Sequence, residues 1–129
     1  MPERIQRKRT KGWVMPEGAI YVGRPSRWKN PYKVVPQAGR PPYVAVIDKW
    51  GSETGERWSG FGDDREAAAF AVDLFHRMLL GVFEREPSNR QHYIGPLVGH
   101  DLACWCSPGS PCHADVLLRI ANGVLAVAS

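Results

Sequence analysis

The sequence predicts a small single domain of α/β (or α+β) class, a short mixed sheet with two main helices packed on it. Three observations lead there. Short runs rich in β-formers recur at residues 19–22, 43–47, 56–61 and 102–106. Two stretches carry helical periodicity, residues 63–83 and 110–122. The last strand runs into the last helix through only a Pro-Gly-Ser turn, so strand and helix alternate at the end of the chain. A length of 129 residues suits one hydrophobic core. The expected division is a basic N-terminal segment over 1–17, the domain over 18–123 and a tail over 124–129 that docks as an edge strand or frays.

Composition narrows the class. With 43% hydrophobic and 23% charged residues the chain has enough apolar surface to fold and is ordinary for a soluble domain. No apolar run approaches the roughly 20 residues of a membrane helix, and the polar, basic opening does not read as a secretory signal. The odd count of 3 cysteines, clustered as C-x-C-x5-C, argues against a disulfide framework and for reduced thiols. A cytoplasmic protein without membrane contact is therefore expected. The net charge of +4 is uneven: Arg4, Arg7, Lys8, Arg9 and Lys11 form one group and Arg24, Arg27, Lys29 and Lys33 another. Such groups attract phosphate on a nucleotide or a nucleic acid; the first also reads as a solubilising N-terminus.

Taken in order, residues 12–18 are a connector and 19–22 the first strand. Gly23-Arg-Pro-Ser-Arg-Trp-Lys-Asn-Pro-Tyr32 follows as a loop. Gly23 admits close backbone approach to a ligand, Arg24, Ser26 and Asn30 offer donors to phosphate or base, and Trp28 offers a face for stacking. Covering the core edge is the plain structural role of Trp28 and Tyr32. Residues 34–42 read as a connector, and 43–47 and 56–61 as strands joined by a turn at 51–55, with Trp50 and Trp58 pairing across the hairpin. The long helix begins at Asp63, with Glu66 completing a D-x-x-E capping pattern, and its stripe is Ala67, Phe70, Ala71, Leu74, Phe75, Met78 and Val82. His76 lies off the stripe and is expected on the surface. Residues 84–90 read as polar loop and 92–97 as one irregular turn. His92 and His100 lack helical metal spacing, though His100 is placed to approach the cysteines.

The chemistry concentrates in Asp101-Leu-Ala-Cys-Trp-Cys-Ser-Pro-Gly-Ser-Pro-Cys-His-Ala-Asp115. A strand over 102–106 and a turn over 107–110 lead to a helix with Ser110 as N-cap, Pro111 at its first position and a stop at Asn122-Gly123. Cys112, His113 and Asp115 then fall in the first helical turn, where free N–H groups favour a thiolate or a bound anion. One reading is a metal site, with Cys104, Cys106, Cys112 and His113 offering zinc a Cys3His set. Against it, Cys104 and Cys106 are about 6.5–7 Å apart along a straight strand, so both bind only if the chain bends. Cys112 and His113 also point about 100° apart on a helix. The other reading is a reactive site: Cys112 as lowered-pKa thiol, His113 as proton donor or acceptor, and Asp115 orienting the imidazole or capping the helix. Small core packing is the plain role of Cys104 and Cys106. If the strands at 19–22 and 102–106 are parallel neighbours, the loops beyond both open on one side, where open α/β sheets bind ligands.

Three stretches also carry a resemblance: Arg4-Ile-Gln-Arg-Lys-Arg-Thr-Lys-Gly-Trp13, Tyr21-Val-Gly-Arg-Pro-Ser-Arg-Trp-Lys-Asn-Pro-Tyr32, and Asp101-Leu-Ala-Cys-Trp-Cys with Pro111-Cys-His-Ala-Asp-Val-Leu-Leu118. They resemble the uncharacterised family called domain of unknown function 4326, of bacteria and their phages, with its "GRPSxWGNPF" and "CWC…PCHADVL" segments. The chain departs from that pattern at Lys29, in place of Gly, and Tyr32, in place of Phe. The resemblance implies no activity, so function rests on the site. The leading expectation is a domain handling a nucleotide or nucleic-acid component; the alternatives are a zinc-stapled nucleic-acid-binding module and a phage or host-interaction protein.

Overall fold

The computed structural model describes residues 2–122, so the tail expected over 124–129 lies outside the described residues, as does Gly123. Strands β1 (Arg4–Gln6), β2 (Ile20–Tyr21), β3 (Tyr32–Gln37), β4 (Arg40–Ile47) and β5 (Glu53–Trp58) precede helices α1 (Asp64–Arg85) and α2 (Ser88–Ile94). A 3-10 turn at Gly95–Leu97, strand β6 (Leu102–Cys104) and helix α3 (His113–Ala121) complete the order. The class is mixed α/β, and the strands divide into two three-stranded sheets.

The first sheet has the order β1-β6-β2 and is parallel throughout. β6 lies at its centre with all three residues buried, and helix α3 packs against it. Ile20 N donates to Asp101 O at 2.9 Å, Val22 N to Ala103 O at 2.9 Å and Arg7 N to Cys104 O at 2.7 Å. Residues 20–21 pair in parallel with β6, which meets the condition under which the loops beyond both strands open on one side. Arg4–Gln6, expected in the basic N-terminal segment, is instead an edge strand of this sheet. Ile5 between the polar residues Arg4 and Gln6 gives it only a weak β signal in sequence.

The second sheet, β3-β4-β5, is antiparallel. Residues 34–42, expected as a connector, belong to a hairpin turning at Gly39, whose φ of 68° suits glycine. The prolines that suggested a loop sit where a missing N–H is harmless. Pro36 is on an edge strand at a register irregularity, and Pro41 and Pro42 precede Val44, the first β4 residue paired with β5. The next turn lies at 48–52 rather than 51–55, because the Asp48 carboxylate accepts from Trp50 N at 2.9 Å and Ser52 N at 3.0 Å. Trp50 is therefore at the hairpin tip, 77% exposed, and does not pair with Trp58. Trp58 packs between Tyr32 and Phe70, at centroid distances of 6.0 and 5.9 Å.

Helix α1 joins the sheets. Asp63 caps it, accepting from Glu66 N at 2.8 Å, while the Glu66 carboxylate reaches back to Gly62 N at 2.9 Å. Its first half puts Ala67 and Ala71 against Val44 and Phe61; farther along, Phe75 and Leu79 pack with Leu102, Leu117 and Ile120. His76 is half-buried rather than on the surface, and its Nε2 is buried with no hydrogen-bond partner among the described residues. Residues expected as polar loop at 84–90 instead end α1 and begin α2, since burial of Ile94 and packing of Tyr93 on Trp28 and Phe83 draw that segment onto the core.

Candidate functional site

Beyond the carboxyl ends of β2 and β6 lies a cavity of about 390 Å³. Residues from the loop at 23–32 and from the cysteine segment both line it, among them Gly23, Arg24, Asn30, Cys104, Cys106, Cys112 and His113. Parallel pairing of two short strands is what brings these segments together across most of the chain.

The cysteine segment folds differently from a continuous strand and an early helix. β6 stops at Cys104, and the chain bends at Trp105 and Cys106. That bend removes the obstacle of a straight C-x-C: the Sγ atoms of Cys104, Cys106 and Cys112 all lie within 4.8 Å of one another, close enough to share a metal ion. Helix α3 starts at His113, two residues later than the Pro111 start expected, with extended Cys112 (φ −149°, ψ 140°) as its N-cap. The Cys112 thiol packs in the core, its Sγ 3.2 Å from that of Cys104, and this contact holds residue 112 out of helical geometry. Ser110 instead donates its N–H to Ser107 O at 3.0 Å in a turn.

Electrostatics single out one thiol. Hydrogen bonds from Cys104 and then Cys106 hold Cys112 well below the usual thiol range, with His113 adding to the effect against burial. Cys104 is pushed up, first by its hydrogen bonds to Cys106 and Cys112 and then by burial. For Cys106 the bond from Cys104 works downward, but the bond to Cys112 and burial prevail and push it up to about 11. The cluster thus concentrates thiolate character on Cys112.

His113 is 8% exposed, and its Nε2 lies 2.8 Å from Val22 O. A carbonyl only accepts, so Nε2 donates to it, and Nδ1 faces Cys112 Sγ at 3.8 Å. The Val22 carbonyl orients this ring, with Phe75 edge-on at 5.2 Å. Asp115, expected to orient the imidazole, pairs instead with Arg4 at 3.5 Å, because the helix turns its side chain toward β1. Burial raises the Asp115 carboxyl, though Arg4 works against it. His100 does not approach the cysteines: its Nδ1 is 2.7 Å from Gly18 O.

The loop residues divide into those that face the cavity and those that shape the loop. Arg24 lines it and donates to Asn30 O at 3.0 Å; burial lowers its pKa. Asn30 also lines it but serves the scaffold, donating to Ala71 O at 3.2 Å and accepting from Tyr32 N at 2.9 Å. Ser26 and Trp28 do not line it: Ser26 Oγ accepts from Trp28 N at 3.3 Å, and the indole donates to Tyr93 O at 2.8 Å. The plain structural role is the one Trp28 takes. The space over Gly23 is taken by a protein side chain rather than left open for a ligand, since a Cβ there would lie 2.6 Å from Tyr21 Oη.

Four residues unmarked as site residues by their sequence context join the site. Tyr21, Lys33 and Trp105 line the cavity. Arg4 lies behind the cysteine segment, donating to Ser110 O at 2.9 Å and Ser107 O at 3.1 Å, and also to Pro108 O. Its sequence signal was charge alone, which placed it in a patch and gave no hint of a side chain only 10% exposed. Arg7 and Arg9 hold their guanidinium groups over the Trp105 ring, at 5.0 and 4.5 Å.

A family model described as Domain of unknown function (DUF4326) matches residues 5–123, nearly the whole chain. No curated protein and no solved structure matches. Among the described residues no helix is long and apolar enough to cross a membrane.

Proposed function

We propose that in this chain, which belongs to the DUF4326 family, the cavity binds a small phosphate-bearing molecule, a nucleotide or nucleic-acid component. The observation that carries this reading is the convergence of the Arg24 loop and the Cys104–Cys112–His113 group on one cavity of about 390 Å³. That volume falls in the range of small-molecule sites. Arg24 and Lys33 supply positive charge for phosphate, and Arg24 keeps donors beyond the one given to Asn30 O. Tyr21, Tyr32 and Trp105 supply aromatic surface for a base. Cys112 and His113 line the same cavity and would face the bound molecule.

Calorimetry with a panel of nucleoside mono-, di- and triphosphates tests this against Arg24→Ala. Loss of a charge-assisted hydrogen bond costs about 1.5–3 kcal/mol, so affinity should fall by roughly 10- to 100-fold. Failure of every nucleotide to bind, or binding indifferent to Arg24→Ala, overturns the reading.

A second reading is a nucleic-acid-binding module stapled by zinc on the cysteine cluster, favoured by the Arg7 and Arg9 guanidinium groups over Trp105 and by the cluster itself. Strand β1 is a sheet edge, so the basic residues to change are those beyond it. Replacing Lys8, Arg9 and Lys11 by Gln keeps the strand. Under this reading single-stranded nucleic acid binds, and the slope of log affinity against log salt falls by about 0.7 per phosphate contact removed.

A further inference from the structure

We infer that Cys104, Cys106 and Cys112 hold one zinc ion as three thiolates, and that its fourth coordination position opens into the cavity. This is a three-ligand centre with an exchangeable site, as distinct from a closed Cys3His staple. It deepens the phosphate-ligand reading, on which it rests only for the identity of the cavity's occupant.

The geometry of the thiols comes first. A tetrahedral zinc with Zn–S near 2.3 Å separates its sulfurs by about 3.8 Å. Here Cys104 and Cys112 are 3.2 Å apart and all three sulfurs lie within 4.8 Å, so sub-ångström adjustments centre an ion among them. The ligands stand on well-held backbone. Cys104 ends the central strand, its carbonyl accepting from Arg7 N at 2.7 Å; Cys112 caps α3, its carbonyl accepting from Asp115 N at 3.0 Å. Arg4 and Arg65 pin the turn between them, the latter donating to Gly109 O at 2.7 Å.

His113 is placed outside this group. Among the described residues the mutually close donors are the three cysteines alone. The imidazole is tied by Nε2 to Val22 O and packed edge-on by Phe75, while Nδ1 approaches Cys112 at 3.8 Å. Neither of its nitrogens lies within 4.8 Å of all three sulfurs at once. Three protein ligands leave zinc one position, the arrangement of sites that bind water or substrate. All three cysteines are walls of the cavity, whereas Arg4 is not among its walls. The open position therefore faces the space shared with Arg24 and Lys33. Zinc with three thiolates carries one net negative charge, which the nearby Arg4 guanidinium offsets.

The test uses the full chain, reduced, stripped with a chelator and titrated anaerobically with Co²⁺ as a spectroscopic stand-in. The expected result is one equivalent bound, with thiolate-to-cobalt charge-transfer bands and the visible bands of tetrahedral cobalt. Azide, a small probe ligand, should then shift the visible bands, and His113→Ala should retain stoichiometry and band positions. Cys106→Ser should lose a share of the charge-transfer intensity. No stoichiometric cobalt binding overturns the inference. So do visible bands that ignore azide in the wild-type chain, a result independent of whether any variant folds, and bands that change on His113→Ala, which would mark a fourth protein ligand. Nucleotide calorimetry on the zinc-loaded protein separates the two claims: an azide-responsive metal site with no nucleotide binding overturns the phosphate reading and leaves the metal centre standing.

Discussion

In the antiparallel sheet, β3, β4 and β5 follow one another through turns of a few residues, and β5 lies almost wholly exposed at the edge. The parallel sheet draws β1, β2 and β6 from opposite ends of the chain, and its strands are only two or three residues long. A ladder that short has few hydrogen bonds of its own. Buried side chains of α1, α3 and the 3-10 turn hold it together. The local sheet is cheap to close and tolerant at its tip, while the distant one depends on packing and carries the cysteines at its end. Placing the site on the packed half lets α3 and the bend after β6 fix three thiols at once.

The largest effect in this comparison should come from Phe75→Ala. Phe75 is fully buried where α1 meets β6, α3 and the His113 ring, and loss of such a side chain costs about 3–5 kcal/mol. Urea unfolding should register it as a lowered midpoint with little change in slope. A cost under about 1 kcal/mol would mean that packing is not what maintains the parallel half.

Arg4→Met comes next. The guanidinium serves the carbonyls of Ser107, Pro108 and Ser110 and the Asp115 carboxylate, and the apolar stem of Met preserves the packing. A loss of about 1.5–3 kcal/mol is expected, together with faster amide exchange across residues 107–110. Unchanged exchange there would show that the turn is held by its own residues.

Trp50→Ala should change least, within about 0.5 kcal/mol, since the ring is exposed at a turn that Asp48 builds. A larger loss would mean that the antiparallel hairpin also depends on its tip and would narrow the contrast between the sheets.

Local chemistry was legible wherever the determining atoms are neighbours in sequence. The Asp63 cap and Glu66, the apolar stripe of α1, and the short strands flanking the two candidate loops all follow from adjacent residues. The turn at Asp48 was within reach too, since its signal is an Asx residue two positions before the accepted N–H, but the two glycines at 51 and 55 spoke louder. Prolines misled over 34–42 because their cost depends on whether an N–H is needed, and that is a property of the neighbouring strand.

The sequence by itself determined the class, the clustering of three thiols in one segment and the presence of two loops that each follow a short strand. Those features come from periodicity, composition and turn chemistry, which act over a few residues. Only the tertiary structure decided that the chain bends after Cys104, that Cys112 caps the helix instead of entering it, that Arg4 lies behind the cysteines and that His113 answers to Val22. Each of those outcomes depends on contacts between residues far apart in the chain, so no local pattern could announce them. Burial makes them decisive: a thiol in the core, an arginine nearly out of water and an imidazole beside a carbonyl must each satisfy the partner that folding supplies.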